Sequence, residues 1–221
     1  MKNNSISLEA LVSGFSGSDL IIIGSRPGMG KTSLALTLAA QMAYVKDKAI
    51  AFFSLEMSKD ALFKRLSLIS DIDPKNIQKY PFHIFDSPQM TISELEQQIR
   101  DLQSRQNIQA VFIDYLGLLS SDNFKEPRQK QQNDIIIRLK ALSRELNIVI
   151  IAVNQLRRDS EPYISQTYFG LREISSEETL QCIDKLLLIE KSDTQKPILK
   201  VHERSQNKDW INEEIQWTIP V

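Results

Sequence analysis

A glycine-rich segment near the start of the chain ends in lysine and threonine, and its residue types suit the binding of phosphate groups. Its members are Ser25, Arg26, Pro27, Gly28, Met29, Gly30, Lys31, Thr32 and Ser33. In such a turn the backbone N–H groups hold phosphate oxygens, the lysine reaches the outer phosphates, and the threonine hydroxyl binds Mg²⁺. The usual pattern has glycine where this chain has Ser25, with Gly24 one residue earlier. Because a small residue is sterically tolerable there, we predict a variant P-loop; the alternative is a glycine-rich turn before an ordinary helix.

The flanking residues place this segment between a strand and a helix. Leu20 to Ile23 is an apolar run, and Ser33 to Ala40 contains good helix formers. Further along, apolar runs that predict buried strands alternate with stretches of helical periodicity. We therefore predict an α/β fold with a mostly parallel central sheet, flanked by helices and joined by right-handed crossovers. The predicted strands are 20–24, 49–53, 82–85, 110–113, 148–153, 185–189, 198–202 and 214–219.

Three polar residues lie at the carboxyl ends of predicted strands, where ligands bind in parallel sheets. Asp114 closes an apolar strand, and a carboxylate there can hold Mg²⁺ opposite Thr32; the alternative is an Asp that caps a turn. Glu56 follows the second strand and can deprotonate an attacking water, although acids also suit the start of a helix. Gln155 follows the strand 148–153 and can sense a terminal phosphate, or it simply begins a loop. For Glu56 and Gln155, position alone leaves both alternatives open.

Two polar segments beside these strand ends carry positive charge. The segment Ser120 to Arg128 is predicted to be a mobile loop, and a second loop runs from about Leu156 to Gly170. The basic residues in and beside these loops are Lys125, Arg128, Lys130, Arg157 and Arg158. Such loops can grip a nucleic-acid backbone; the alternative is a solvated basic surface.

Length and composition favour a single domain of a soluble class. The 221 residues carry 27 Lys and Arg against 28 Asp and Glu, a net charge of -1, which excludes a polybasic tail protein but not a local nucleic-acid-binding patch. The single cysteine, Cys182, fits a reducing cytosol, and the apolar runs are far shorter than the ~20 residues of a membrane helix. We predict one domain over 1–221 with residues 1–19 as a short leader, a cytoplasmic location and no membrane partner.

Several motifs occur in the order typical of the RecA-like motor domain of DnaB-family replicative helicases, which the chain resembles from about Leu8 onward. The matching segments are the P-loop with its Arg-Pro and Met, Phe53-Ser54-Leu55-Glu56-Met57-Ser58, Phe112-Ile113-Asp114-Tyr115-Leu116, Leu139 to Asn147, and Asn154-Gln155-Leu156. The resemblance implies a RecA-like P-loop NTPase fold, ATP and Mg²⁺ as cofactors, Glu56 as catalytic base, and Gln155 as sensor of the γ-phosphate.

The resemblance also implies a residue and partners that spacing alone does not indicate. Arg204 matches an arginine finger that acts on a neighbouring subunit's ATP, and His202 stands where the family has an accompanying lysine. Leu171-Arg172-Glu173 resembles the fourth motif, but the run that follows is degenerate, with Gln181 and Asp184 recognisable. The implied partners are single-stranded DNA, further copies of the chain in a hexameric ring or helical assembly, and a full-length helicase or other replication proteins.

The resemblance favours an ATP-dependent DNA helicase motor that hydrolyses ATP at subunit interfaces and translocates on single-stranded DNA in replication. Two alternatives stay open: a non-translocating ATP-binding regulator, and a RecA-like recombination ATPase. We expect the chain to begin at the motor domain, without counterparts of the family's N-terminal domain and linker helix.

Overall fold

Strands and helices alternate along the chain as predicted. The computed structural model describes residues 7–45, 47–69, 79–156, 176–191, 197–204 and 210–216. The strands are β1 (Leu20–Ser25), β2 (Ile50–Ser54), β3 (Phe82–Asp86), β4 (Met90–Thr91), β5 (Ala110–Asp114), β6 (Leu119–Ser120), β7 (Val149–Gln155), β8 (Lys185–Lys191), β9 (Pro197–Arg204) and β10 (Trp210–Gln216). The helices are α1 (Leu8–Ser13), α2 (Lys31–Ala40), α3 (Lys59–Ile69), α4 (Ile92–Gln106), α5 (Arg128–Leu146) and α6 (Glu177–Gln181). A π-helical turn, Gln41–Val45, continues α2, and a 3₁₀ turn, Leu116–Leu118, precedes β6.

Within the described residues, eight strands form one sheet in the order β10-β9-β8-β1-β7-β5-β2-β3. The central strand β1 is parallel to both β7 and β8, and β5, β2 and β3 continue the parallel part. β9 and β10 add an antiparallel edge. The prediction of a mostly parallel central sheet is therefore confirmed. β4 and β6 pair separately as a short parallel sheet.

Helices cover both faces of the sheet, which is why its central strands are apolar throughout. Successive residues of β1 point to opposite faces. Ile21 and Ile23 pack in a core with α1, α2 and α3, whereas Leu20 and Ile22 pack in a second core with α4, α5 and α6. All four side chains are fully buried, and each contributes about 1.5–3 kcal/mol to folding. The two cores thus fix the strand that delivers the glycine-rich turn.

Capping residues set the ends of α4. The Thr91 hydroxyl accepts a hydrogen bond from Glu94 N at 3.2 Å, and the Glu94 carboxylate accepts one from Thr91 N at 2.8 Å. This reciprocal pair is a capping box. At the other end, Asn107 adopts a left-handed conformation and its N–H donates to Gln103 O.

Several predicted boundaries are wrong, among them those of the last strand and of α5. The last strand, Trp210–Gln216, already includes residues 210–213, which the predicted strand 214–219 leaves out, because these residues pair with β9; residues 217–219 lie outside the described residues. Helix α5 begins at Arg128, which the sequence assigns to the preceding loop. The predicted leader contributes Leu11, Val12 and Phe15 to the core through and just after α1. The predictions for residues 157–175 lie outside the described residues.

Candidate active site

Parallel strands bring most of the predicted site residues to one edge of the sheet. Ser25 of β1 lies in register with Gln155 of β7, and Asp114 of β5 lies in register with Ser54, the last residue of β2. Glu56 follows β2 two residues later. Because parallel strands end together, the glycine-rich turn, both acids and the glutamine share this edge.

The glycine-rich turn has the backbone geometry of an anion cradle. Gly28 and Gly30 adopt φ values of 74° and 85°, the left-handed region in which a Cβ is strained. Gly30 is the N-cap of α2 and has no side chain to accept from the N–H groups of the first turn. A phosphate can accept from those groups instead. Ser25 is fully buried and its hydroxyl donates to Arg26 O at 2.8 Å, so a small polar residue fits where the usual pattern has glycine.

Lys31 begins α2 and turns back toward the turn that precedes it. Its Nζ donates to Arg26 O at 3.4 Å. Burial lowers the pKa of Lys31, while the nearby carboxylates of Asp114 and Glu56 oppose that shift. The ammonium group therefore lies within the field of both acids, at the place where a phosphate held by the turn would meet it.

Asp114 is almost fully buried, at 1% exposure. Burial raises its pKa to about 6, and the charge of Glu56 adds to the rise; a hydrogen bond from the Thr32 hydroxyl and the charge of Lys31 oppose it. Its Oδ2 is buried and has no hydrogen-bond partner among the described residues. A buried carboxylate oxygen without a donor is poorly stabilised unless a cation compensates it.

The donor set around Asp114 fits Mg²⁺. A carboxylate and a threonine hydroxyl are hard oxygen ligands, and Mg²⁺ usually completes its shell with waters and substrate phosphates. The described residues contain no cluster of three or more His, Cys, Asp or Glu side chains that could hold a metal without such help. Asp114 and Thr32 together therefore suit an ion that arrives with a phosphate ligand.

Glu56 is exposed on a short, fixed turn between β2 and α3. The Ser54 hydroxyl donates to Met57 O at 2.7 Å and accepts from Met57 N at 3.1 Å. These two bonds close the turn around Glu56, so the backbone there is held while the side chain remains open to water. Gln155 is half-buried, and its N–H donates to the Asn154 side chain at 2.8 Å.

Sequence reasoning missed one cation of this site, Arg65. It lies on α3, its Nη1 is 3.5 Å from Met57 Sδ, and its charge lowers the pKa of Asp114. The available signal was an arginine in the apolar stripe of α3, next to Leu66. A charged residue on the core-facing side of a helix usually has a buried partner.

Arg204 lies at the opposite edge of the sheet. Strand β9 is antiparallel to β8, and Arg204 N donates to Asp184 O at 2.9 Å while Asp184 N donates to Leu20 O at 2.9 Å. Leu20 is the first residue of β1, and the glycine-rich turn follows the last residue of that strand. At the usual rise per residue of a strand, the two ends of β1 are about 17 Å apart. The Arg204 guanidinium also donates to Leu180 O at 2.7 Å. The structure therefore does not bring Arg204 to the glycine-rich turn of its own chain.

The segment 115–127 follows Asp114 and runs to the start of α5. Arg128, predicted to contact DNA, is half-buried and donates to the carbonyl oxygens of Gly117 and Leu119. Lys130 forms an ion pair with Glu126 at 3.3 Å, and Lys125 is exposed. Arg128 thus helps to shape the segment, whereas the two lysines face solvent. Arg157 and Arg158 lie outside the described residues.

A second anchor ties this segment to α4. Arg138 of α5 donates to the Glu96 carboxylate at 3.0 and 2.8 Å, to Ser93 Oγ at 2.8 Å, and to Asp122. Ser93 Oγ also donates to Asp122 at 2.6 Å. These bonds hold the middle of the segment against two helices.

The chain is similar to known proteins in both sequence and structure. A model of the family described as "DnaB-like helicase C terminal domain" matches residues 1–209. The chain is 39% identical over 175 residues to the replicative DNA helicase DnaB of Treponema pallidum, covering 70% of this chain and 40% of that protein. It is 33% identical over 222 residues to the replicative DNA helicase DnaB of Rickettsia bellii, covering 80% of this chain and 44% of that protein. The chain thus spans about two fifths of the length of these relatives.

Two solved structures share the fold. One is described as an ATPase domain, with 25% identity, a TM-score of 0.73, and coverage of 90% of this chain and 81% of that one. The other is described as a DnaB-like replicative helicase and its interactions with primase, with 25% identity, a TM-score of 0.76, and coverage of 96% and 58%. Among the helices that the structure describes, none is long and apolar enough to cross a membrane.

Proposed function

The chain belongs to the family of DnaB-like helicase C-terminal domains, and from this premise we propose that it is the ATP-hydrolysing motor of a replicative DNA helicase. In this proposal the motor binds Mg²⁺ and ATP at the carboxyl edge of the sheet and translocates on single-stranded DNA. Similarity to replicative DNA helicases favours this function over a regulator or a recombination ATPase.

One observation carries the proposal: Asp114 has a buried carboxylate oxygen, Oδ2, without a hydrogen-bond partner among the described residues. The same side chain accepts a hydrogen bond from Thr32, which directly follows the glycine-rich turn and its lysine. Mg²⁺, when bound, would neutralise charge that develops on the phosphate oxygens. Thr32 and Asp114 would hold that ion. The N–H groups of the first turn of α2 would hold the phosphates, since no other acceptor at the N-cap competes for them.

The remaining roles follow from position and charge. Lys31 supplies a positive charge that the field of two carboxylates favours, and it exchanges its bond to Arg26 O for a phosphate oxygen. Glu56 is exposed and takes the proton of the attacking water. Gln155 lies beside the strand that enters the glycine-rich turn, where its amide can donate to the γ-phosphate before hydrolysis and lose that contact afterwards.

Arg204 would act across an interface between two copies of the chain. It lies at the edge of the sheet away from its own glycine-rich turn, so a guanidinium there can complete only a neighbour's site. An arginine finger of this kind accelerates phosphoryl transfer by about 10³-fold or more. His202, two residues earlier, stands where the family has an accompanying lysine. We propose a hexameric ring or a helical assembly as the active form, with other replication proteins as partners.

The experiment that tests the catalytic part is the Glu56→Gln variant, measured by phosphate release and by ATP titration. Glutamine keeps the size of the side chain but cannot take a proton, so hydrolysis should slow at least ~100-fold while ATP still binds. Glu145→Gln, at an exposed position of α5, serves as the matched control and should turn over normally. Near-normal turnover by Glu56→Gln would remove Glu56 from the mechanism.

The motor part is tested by strand displacement and by mass in solution with Mg²⁺, ATP and single-stranded DNA. We expect a hexamer whose hydrolysis is stimulated by DNA and which separates a forked duplex. A persistent monomer without DNA stimulation would support the regulator instead, and an open filament would support the recombination ATPase.

A further inference from the structure

Phe124 exposes an aromatic ring on the segment that follows Asp114. Its side chain is 67% exposed, and the residues around it, 79–156, are described without a gap. Single exposed apolar residues are common on protein surfaces. Exposure alone therefore does not indicate a binding site.

Hydrogen bonds from α5 and from within the segment hold the backbone on both sides of Phe124. Gln131 Nε2 donates to Glu126 O at 2.7 Å and lies 3.5 Å from Phe124 O. On the other side, Asn123 N donates to Ser121 Oγ at 3.2 Å, and Glu126 N closes a turn on Asn123 O at 3.3 Å. The ring is therefore displayed from a preorganised turn, and a ligand that packs on it does not have to order the chain first.

The charges around the ring favour a polyanion. Lys125 follows Phe124 directly, is exposed, and has no ion-pair partner within the described part of the chain. The two acids nearest in sequence already have cationic partners, since Glu126 pairs with Lys130 at 3.3 Å and Asp122 pairs with Arg138. The exposed turn thus combines one aromatic face with a lysine that forms no ion pair with any described residue.

We propose that Phe124 is a stacking residue for single-stranded DNA: its ring packs against an unpaired base while Lys125 contacts the adjoining phosphate. Every base has a π-face, so such stacking tolerates any sequence, as a translocating motor requires. The turn lies on the same connection as Asp114, which links the proposed stacking position to the nucleotide edge of the sheet. This inference rests on the function proposed above.

The test distinguishes recognition of the bases from recognition of the phosphate backbone. A labelled thymidine oligonucleotide and an abasic oligonucleotide of equal length are titrated with wild type, Phe124→Ala, Phe124→Leu and Phe124→Tyr, in Mg²⁺ and a non-hydrolysable ATP analogue. Wild type and Phe124→Tyr should bind the thymidine strand about 5- to 100-fold more tightly than the abasic strand, the range of one base-to-aromatic stack. Phe124→Ala and Phe124→Leu should lose that preference and keep the abasic affinity. Lys125→Ala should weaken binding of both strands alike, because it removes a phosphate contact.

Each contrary outcome is distinct. Equal affinity of the wild type for the two strands would overturn the stacking role and leave the motor function standing. Retained base preference in Phe124→Leu would mean that apolar area, and not an aromatic face, is recognised, which overturns the proposal. A change of assembly mass in Phe124→Ala without loss of base preference would overturn it too and assign the ring to a subunit contact. Failure of the wild type to bind either strand would overturn the motor function and this inference together.

Discussion

Replacing Asp114 with asparagine should abolish catalysis and yet stabilise the metal-free protein. Asp114 is 1% exposed, and burial, reinforced by Glu56, raises its pKa from 3.8 to about 6. The ionised carboxylate is therefore less stable in the folded protein than in the unfolded chain. Asparagine is neutral, has nearly the same shape, and keeps an oxygen that accepts from the Thr32 hydroxyl.

The pKa shift gives the size and the pH window of the effect. Because the folded pKa lies above the unfolded one, Asp114 contributes to stability below about pH 4, and this contribution is lost as the pH rises through about 6. A shift of about 2 units corresponds to about 3 kcal/mol. At about pH 7.5 the Asp114→Asn variant should therefore have a free energy of unfolding higher by up to about 3 kcal/mol. The difference should shrink toward zero near pH 4, where wild-type Asp114 is protonated in both states.

Urea unfolding followed by circular dichroism, in EDTA and at several pH values, measures this difference. Asp101→Asn, at an exposed position of α4, is the matched control and should change stability by no more than about 0.5 kcal/mol. Adding Mg²⁺ and ATP should stabilise the wild type by mass action more than Asp114→Asn, which keeps the phosphate-binding groups but lacks the charged metal ligand. A less stable variant at neutral pH, or a gain that does not vary with pH, would refute the reasoning.

Three further predictions concern other parts of the molecule. Arg204→Ala and Lys31→Ala, each inactive alone, should regain part of their phosphate release when mixed, because mixed interfaces pair an intact pocket with an intact arginine; no rescue would place Arg204 outside a shared site. Arg138→Ala should lower the free energy of unfolding by about 1–3 kcal/mol, since the Glu96 carboxylate loses its arginine donor and Asp122 keeps only Ser93. The exposed Arg105→Ala should change it by no more than about 0.5 kcal/mol; equal effects in urea titrations would contradict this. Burial lowers the pKa of His83, so as the pH falls His83 takes up a proton in the unfolded chain before it does in the folded protein. Acidification below about pH 6.5 should therefore destabilise the wild type more than His83→Gln. An equal fall in the melting temperatures of the two proteins would exclude that role.

The arrangement of the site could be predicted because the strand ends that carry its residues follow from the local pattern of apolar residues. Continuously apolar runs predict parallel strands buried on both faces, and parallel strands end at a common edge. Asp114, Gln155 and the turn before Lys31 therefore had to lie together once those runs were identified, and the register confirms that they do. Their catalytic roles stay predictions until the variants are measured.

Other parts of the site could not be predicted because they depend on contacts between distant segments. Arg138 is 42 residues from Glu96, which it binds across two helices. Arg128 is a basic residue in a polar stretch, a pattern that equally suits nucleic-acid binding, and only its bonds to the carbonyls of the preceding segment show how it is used. The extent of the last strand likewise depends on its pairing with β9. Periodicity describes one segment at a time and carries no information on such pairings.

The separation of Arg204 from the glycine-rich turn gives an assembly a direction. If one edge of each copy receives an arginine and the opposite edge donates one, the contact is heterologous and cannot be satisfied by a two-fold dimer. Repeating it produces a row with a leading and a trailing copy, in which the number of completed sites is one fewer than the number of copies. Only closure of the row into a ring gives every copy a completed site. Activity per copy should then rise steeply for the first few additions and level off, so that growth of the assembly acts as a graded control on hydrolysis.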